Sequence, residues 1–175
     1  MKAAVIGCGR MGSRPQKNLT GIFPNGWLPV SHIEAIQESQ LLDIIAACDV
    51  SSDALDFVRK QYGVRNLYQD FRKLIDIEKP KVITIATRTP IKKEIIKYAC
   101  NNGVKGIYVE KPISNDMATC HDILSLVKRS GCTLLYGVNR RYHECYRRAK
   151  ALLSEGVIGD LINISVDMGL SLIHI

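Results

Sequence analysis

The sequence has no run of about 18 consecutive apolar residues, so no segment reads as a membrane-spanning helix. Its opening, MKAAVIGCGRMG, holds an apolar stretch only from Ala3 to Ile6 before glycines interrupt it. That is too short for the hydrophobic part of an export signal, and a cytoplasmic protein is the expectation. Aromatic residues make up only 6% of the chain, and they do not interleave with basic residues as in nucleic-acid-binding modules. The six cysteines, Cys8, Cys48, Cys100, Cys120, Cys132 and Cys145, include no C-x-x-C pair. This argues against a disulfide framework and a zinc site, and His143 with Cys145 has no second ligand pair, so no metal is expected. Several of these cysteines sit in apolar strand-like settings, where a free thiol behaves as a small hydrophobe. Internal repeats and low-complexity segments are absent as well.

What is present is a chain of 175 residues, room for one domain and the beginning of a second. Its 46% apolar and 23% charged residues are ordinary for a globular protein. The net charge of +7 is densest at Arg140, Arg141, Arg147, Arg148 and Lys150. A solvated helix face, or attraction of an anionic cofactor, accounts for it without nucleic acid.

Short apolar runs alternate with helical periodicities. Lys2 to Gly7, Leu42 to Val50, Val82 to Ala86, Gly106 to Val109 and Thr133 to Val138 read as strands. They are continuously apolar, the pattern of a parallel sheet covered on both faces. Helices are predicted from Val30, over Ser52 to Tyr62, over Asp70 to Ile77 and from Pro90 to Gly103. In the last of these, Ile91, Ile95, Ile96 and Ala99 are expected to face inward. Another helix, capped by Ser114-Asn115-Asp116 and ended by Gly131, is expected to bury Met117, Cys120, Ile123, Leu124 and Val127. The order indicates an α/β, doubly wound parallel sheet with right-handed crossovers over residues 1–140. A linking helix (His143 to Leu153) and one strand (Asp160 to Met168) would then start a second α/β domain over 141–169.

The sharpest motif directly follows the first strand: Gly7-Cys8-Gly9-Arg10-Met11-Gly12, a G-x-G-x-x-G. Gly7 permits the tight turn, Gly9 the close approach of backbone to a pyrophosphate, and Gly12 the packing of the following segment. The amides at 7, 9 and 12 are expected to cradle the two phosphates. Asp49, ending the second strand, suits the ribose hydroxyls and repels a 2′-phosphate, which favours NAD while leaving NADP open. Asp49 also fits a turn or cap aspartate. The acid normally follows the glycines by about 20 residues, whereas Gly12 and Asp49 are 37 apart. The excess is assigned to an insertion over Ser13 to Pro29, which includes the only tryptophan, Trp27. His32 reads as a polar residue at a helix start rather than a catalyst.

Val109-Glu110-Lys111-Pro112 follows the fifth strand, at the sheet end where ligands bind. Lys111 there could move a proton to or from a carbonyl or hydroxyl, with Glu110 holding it as an ion pair and Pro112 fixing the turn. Together with the glycine motif, Asp49 and Ala86-Thr87-Arg88-Thr89-Pro90, this segment resembles the glucose–fructose oxidoreductase/inositol dehydrogenase family (Gfo/Idh/MocA), over residues 1 to about 168. The resemblance implies NAD(P)-dependent oxidation or reduction of a sugar, cyclitol or related polyol. It implies Lys111 in the active site, and Thr87, Arg88, Thr89 and Pro90 lining the nicotinamide end. Asn139 and Arg141 would approach the substrate. It also implies a second domain supplying an aspartate–histidine pair, of which only the first strand is expected here, so this chain alone is expected to be inactive. The parent would be a homo-oligomer.

Leu170 to Ile175, LSLIHI, reads as the translation of a transposase-type sequencing adapter, so natural coding is expected to end near Gly169. Two other readings compete. Tyr146 and Lys150 fit the Y-x-x-x-K of short-chain dehydrogenases, but those enzymes resemble a different glycine loop. A non-catalytic dinucleotide sensor also fits, since fold does not dictate function.

Overall fold

Six parallel strands form the centre of the computed structural model, which describes residues 1–14 and 29–166. They are β1 (Lys2–Ile6), β2 (Asp43–Cys48), β3 (Asn66–Tyr68), β4 (Val82–Ile85), β5 (Gly106–Glu110) and β6 (Thr133–Gly137). Their spatial order is β3-β2-β1-β4-β5-β6, the doubly wound order expected for a dinucleotide fold. β1 lies centrally, pairing Ile6 with Cys48 of β2 and with Ile85 of β4. The edge strand β3 escaped sequence reading because its three residues, Asn-Leu-Tyr, carry no apolar run.

The helices are α1 (His32–Glu38), α2 (Ser52–Tyr62), α3 (Phe71–Glu78), α4 (Lys92–Asn101), α5 (Met117–Ser130) and α6 (Glu144–Ser154). Side-chain caps explain most of their starts. Ser51, Asp70 and Asp116 accept from the amides of Ala54, Arg72 and Thr119, satisfying donors that the first turn leaves free. Ser31 and Glu34 form a reciprocal capping box at α1.

Two apolar layers cover the sheet. On one face Ile33 and Ile36 of α1 and Leu55 and Val58 of α2 pack on Ala3, Val5 and Ala47. On the other, Leu74 and Ile75 of α3 and Ile95, Ile96 and Ala99 of α4 pack on Ile6, Ile83, Ile85 and Val109. Each fully buried Leu or Ile contributes about 1.5–3 kcal/mol. Right-handed crossovers that run outward in opposite directions, from β1 to β2 and from β4 to β5, place α1 and α4 on opposite sides.

Three expectations need correction. Ile91 is 37% exposed, because the inward stripe of α4 is Lys92, Ile95, Ile96 and Ala99. In α5 only Ile123 is buried, while Met117 and Leu124 face outward, since the helix covers the sheet edge with one narrow stripe. Residues 160–166 form no strand, and Ile162 is 96% exposed. A strand needs a neighbour for its N–H and C=O groups, and none pairs with this stretch among the described residues. Met168, the tail from Leu170 and most of the inserted segment, with Trp27, lie outside the described residues.

The chain divides into two compact units, Met1–Val138 and a second beginning at Asn139. Among the described residues no helix is long and apolar enough to cross a membrane. The thiols of Cys8, Cys48, Cys100 and Cys132 are buried, whereas Cys145 is exposed.

Candidate dinucleotide site

β1 and β4 are neighbours whose following helices lie on opposite faces, and the crevice between their C-terminal ends is where such sheets bind ligands. Gly7 occupies this point with φ +94°, a conformation that L side chains rarely adopt. A Cβ there would come within 2.7 Å of the Ala86 carbonyl carbon and 2.8 Å of the Thr87 nitrogen. Gly7 is therefore a point where the two connections pass too closely for a side chain.

The loop's amides are divided between protein and solvent. The Gly7 amide donates to the Cys48 carbonyl at 2.8 Å, as part of the ladder with β2. The Cys8 amide donates to Asp49 Oδ2 at 2.7 Å, and the Ser51 amide to Asp49 Oδ1 at 2.9 Å. This corrects the expectation that the amide at position 7 faces a phosphate. It also shows Asp49 bracing the glycine loop while starting the turn into α2, the turn role that the sequence allowed. The amides of Gly9, Arg10 and Met11 meet no acceptor among the described residues. A Cβ on Gly9 would have nothing within 4 Å, whereas one on Gly12 would lie 1.8 Å from the Gly7 carbonyl oxygen. Open space at 9 and a tight crossing at 12 are what a pyrophosphate cradle requires, and the residues present fit that group.

The helix after the loop is split. Ser13 and Arg14 donate to the Gly9 carbonyl, forming a first turn. Beyond the Arg10 carbonyl, those of Met11 and Gly12 accept from the amides of His32 (2.9 Å) and Ile33 (3.1 Å). In an uninterrupted α-helix those acceptors would serve residues 15 and 16, four positions on. His32 thus stands where residue 15 would, a displacement of 32 less 15, or 17 residues. Subtracting 17 from the 37 positions between Gly12 and Asp49 leaves 20, the ordinary spacing. The insertion interrupts a helix without shifting its register. Tyr62 from α2 ties the two parts, its hydroxyl lying 2.7 Å from the Ser13 carbonyl and 3.3 Å from Glu34 Oε1.

The segments expected at a nicotinamide end follow β4 and β5. Thr87 precedes a 3-10 turn, Thr89–Ile91, with Pro90 inside it and Arg88 exposed at its start. Thr87 Oγ1 is buried with no hydrogen-bond partner among the described residues, as expected of a group that meets a ligand. Glu110 at the end of β5 is buried, but it forms no ion pair with Lys111. Its Oε1 lies 3.3 Å from His32 Nε2 and 3.5 Å from the Tyr108 hydroxyl. Burial pushes the Glu110 carboxyl up, yet the His32 bond, the His32 and Lys111 charges and the Lys111 amide outweigh it and hold it below its ordinary range. Glu110 is therefore committed to His32 and Tyr108 rather than to Lys111. Lys111 itself is exposed beyond it.

Two residues were undervalued. His32, buried at the first position of α1, packs edge-on against the Tyr108 ring at 5.1 Å and joins α1 to the Glu-Lys-Pro segment. Lys92, 1% exposed, donates from Nζ to the Glu110 carbonyl at 2.5 Å and the Pro112 carbonyl at 2.7 Å. Its signal was readable: a lysine at the head of the inward stripe 92, 95, 96, 99. Asn139 and Arg141 lie in the second unit, exposed on the turn Asn139–Tyr142. Tyr146 and Lys150 are both exposed on α6.

Several known proteins share this architecture. Myo-inositol 2-dehydrogenase of Thermotoga maritima is 27% identical over 159 residues, covering 91% of this chain and 42% of its own length. The crystal structure of myo-inositol 2-dehydrogenase from Lactobacillus plantarum superposes with a TM-score of 0.76 at 29% identity, covering 93% of this chain and 43% of that one. That of scyllo-inositol dehydrogenase from Lactobacillus casei, with bound cofactor NAD(H) and scyllo-inositol, gives 0.75 at 25% identity, covering 91% and 42%. The chain thus spans about two fifths of the length of these relatives. Residues 1–138, the first compact unit, match the GFO_IDH_MocA family, described as an oxidoreductase family with an NAD-binding Rossmann fold. The chain belongs to that family.

Proposed function

We propose that this chain binds NAD across the β1–β4 crevice and serves hydride transfer between nicotinamide C4 and a hydroxyl-bearing carbon of a sugar, cyclitol or related polyol. The observation that carries this reading is the glycine loop. Open space stands over Gly9, beside three amides without protein acceptors, at the switch point of the sheet. Bound NAD would supply the hydride acceptor. The chain's own residues do the rest. The amides of Gly9, Arg10 and Met11 at the start of the split helix hold the pyrophosphate. Asp49 keeps lone pairs free for ribose hydroxyls while bracing Cys8, and its charge disfavours a 2′-phosphate. Thr87 Oγ1 finds its partner at the nicotinamide end. Lys111 orients the substrate hydroxyl and takes part in moving its proton. The relatives that are inositol dehydrogenases support a polyol as substrate.

Titrating the chain with NAD+ and NADP+ tests the reading. Saturable binding with NAD+ preferred is the expected result, and Lys111→Ala should leave that affinity within about twofold while abolishing polyol-dependent NADH formation in a protein extended to the length of its relatives. Absence of NAD+ binding by the folded chain would remove the proposal. Unchanged turnover of the extended protein on Lys111→Ala would remove Lys111 from it.

A further inference from the structure

Lys92 is the least expected buried residue in the first unit. Its neighbours in the helical stripe, Ile95, Ile96 and Ala99, are core residues, and an apolar side chain would fill the position without burying a charge. Burying an ammonium group costs several kcal/mol unless good hydrogen bonds compensate. Here both of its identified partners belong to one short segment. They are the carbonyls of Glu110 and Pro112, the residues on either side of Lys111. Burial draws the Lys92 ammonium toward its neutral form, the Glu110 carboxylate opposes this, and the Lys111 charge reinforces it. The ammonium thus lies within electrostatic reach of both Glu110 and Lys111, at the C-terminal end of β5.

The geometry points to Lys92 as the positioning residue for Lys111: a buried ammonium that spans the carbonyls of residues 110 and 112 and so fixes the backbone that presents the exposed lysine between them. Two anchored carbonyls, one peptide to each side, leave the 111 backbone little freedom to rotate, while its side chain remains in solvent. His32 completes the arrangement by holding the Glu110 side chain from the opposite face. The Glu-Lys-Pro segment is therefore gripped by the first residues of two helices, α1 through the carboxylate and α4 through the backbone. The inference rests on the reading above that Lys111 stands beside the nicotinamide.

Amine footprinting of the chain separates the two claims. Reductive methylation read by mass spectrometry reports the reactivity of Lys111 with and without saturating NAD+, and a parallel titration reports affinity. In the unmodified protein NAD+ should slow Lys111 methylation several-fold. If it does not, the placement of Lys111 beside the nicotinamide fails, whatever Lys92 does. Given that protection, Lys92→Met should keep NAD+ affinity within about threefold but lose the protection, and Lys92→Arg, which keeps charge and donors, should restore it. Full protection in a folded Lys92→Met protein would overturn the positioning role. Should Lys92→Met fail to fold, Lys92→Gln decides instead: its single amide reaches one carbonyl at most, so partial protection supports the role and undiminished protection overturns it.

Discussion

Gly9 and Gly12 are three residues apart in one motif, yet the structure gives them opposite tasks, and alanine at each should separate them. At Gly9 an added methyl meets nothing within 4 Å, and the backbone there is not in the left-handed region. Alanine also narrows the unfolded ensemble, so the folded chain should be unchanged or more stable by up to about 1 kcal/mol. The same methyl would stand in the space before the amides of Arg10 and Met11. Loss of one hydrogen bond to a charged phosphate costs about 1.5–3 kcal/mol, or roughly a 10- to 150-fold rise in Kd for NAD+. At Gly12 the methyl would lie 1.8 Å from the Gly7 carbonyl oxygen, and ordinary contact requires more than 3.0 Å. Either the loop leaves the Cys48 ladder or the first helical turn lifts away, and overpacking of this kind costs about 1–3 kcal/mol or more. For a domain of this size that lowers Tm by roughly 2–12 °C. Calorimetric titration with NAD+ and a thermal melt on each variant provide the comparison. Unchanged affinity in Gly9→Ala at unchanged Tm would refute the assignment of the space above Gly9 to the pyrophosphate. A Gly12→Ala protein as stable as the parent would refute the crossing.

Two further predictions follow from the split helix and from Glu110. Deleting residues 15–31, so that Arg14 joins His32, should give a continuous helix: closing a loop of 17 residues costs roughly 2.5 kcal/mol beyond a constant, against about 1 kcal/mol for the lost Ser31 cap. Thermal melts should show a Tm equal to or above that of the parent, and a fall of more than about 5 °C would contradict the register argument. Glu110 is held below its ordinary value of 4.5, so its ionised form stabilises the fold fully above that value, and the contribution disappears as pH falls through its lower folded value. Stability measured from pH 6 down to 3 should therefore fall less steeply below pH 4.5 in Glu110→Gln than in the parent, and parallel curves would show that the His32 contact contributes nothing.

The fold was legible because the strands declare themselves. Val5-Ile6, Ile83 to Ile85 and Ile107 to Val109 are apolar runs that only a doubly covered sheet can use, and the glycine motif falls at the first turn. β3 was not legible, since Asn66 to Tyr68 becomes a strand through its pairing with β2 rather than through its own pattern. The register of the insertion was legible as a length, for the surplus over ordinary spacing equals the displacement the hydrogen bonds show. Its position within a helix was not, because only the tertiary bonds of His32 and Ile33 reveal that two distant stretches share one axis. Around Lys111 the sequence pointed to the segment but paired its charges wrongly. Glu110 and Lys111 are adjacent in sequence, yet side chains alternate across a strand end, which turned the carboxylate inward to His32 and left the lysine outside. Asp49 was read for a ribose or for a turn, and its service to the Cys8 amide was not legible because it depends on how β1 and β2 end side by side.

A helix that resumes in phase after seventeen foreign residues behaves as a splice point. Because the amides of 32 and 33 find the carbonyls of 11 and 12 across the gap, the sheet and the phosphate loop need not register what is spliced between them. Such a junction lies a few residues from the glycine loop. A fluorescent reporter grafted between Arg14 and Ser31 would leave the six-stranded sheet intact and place its light output near the crevice between β1 and β4, turning occupancy of that crevice into a measurable signal.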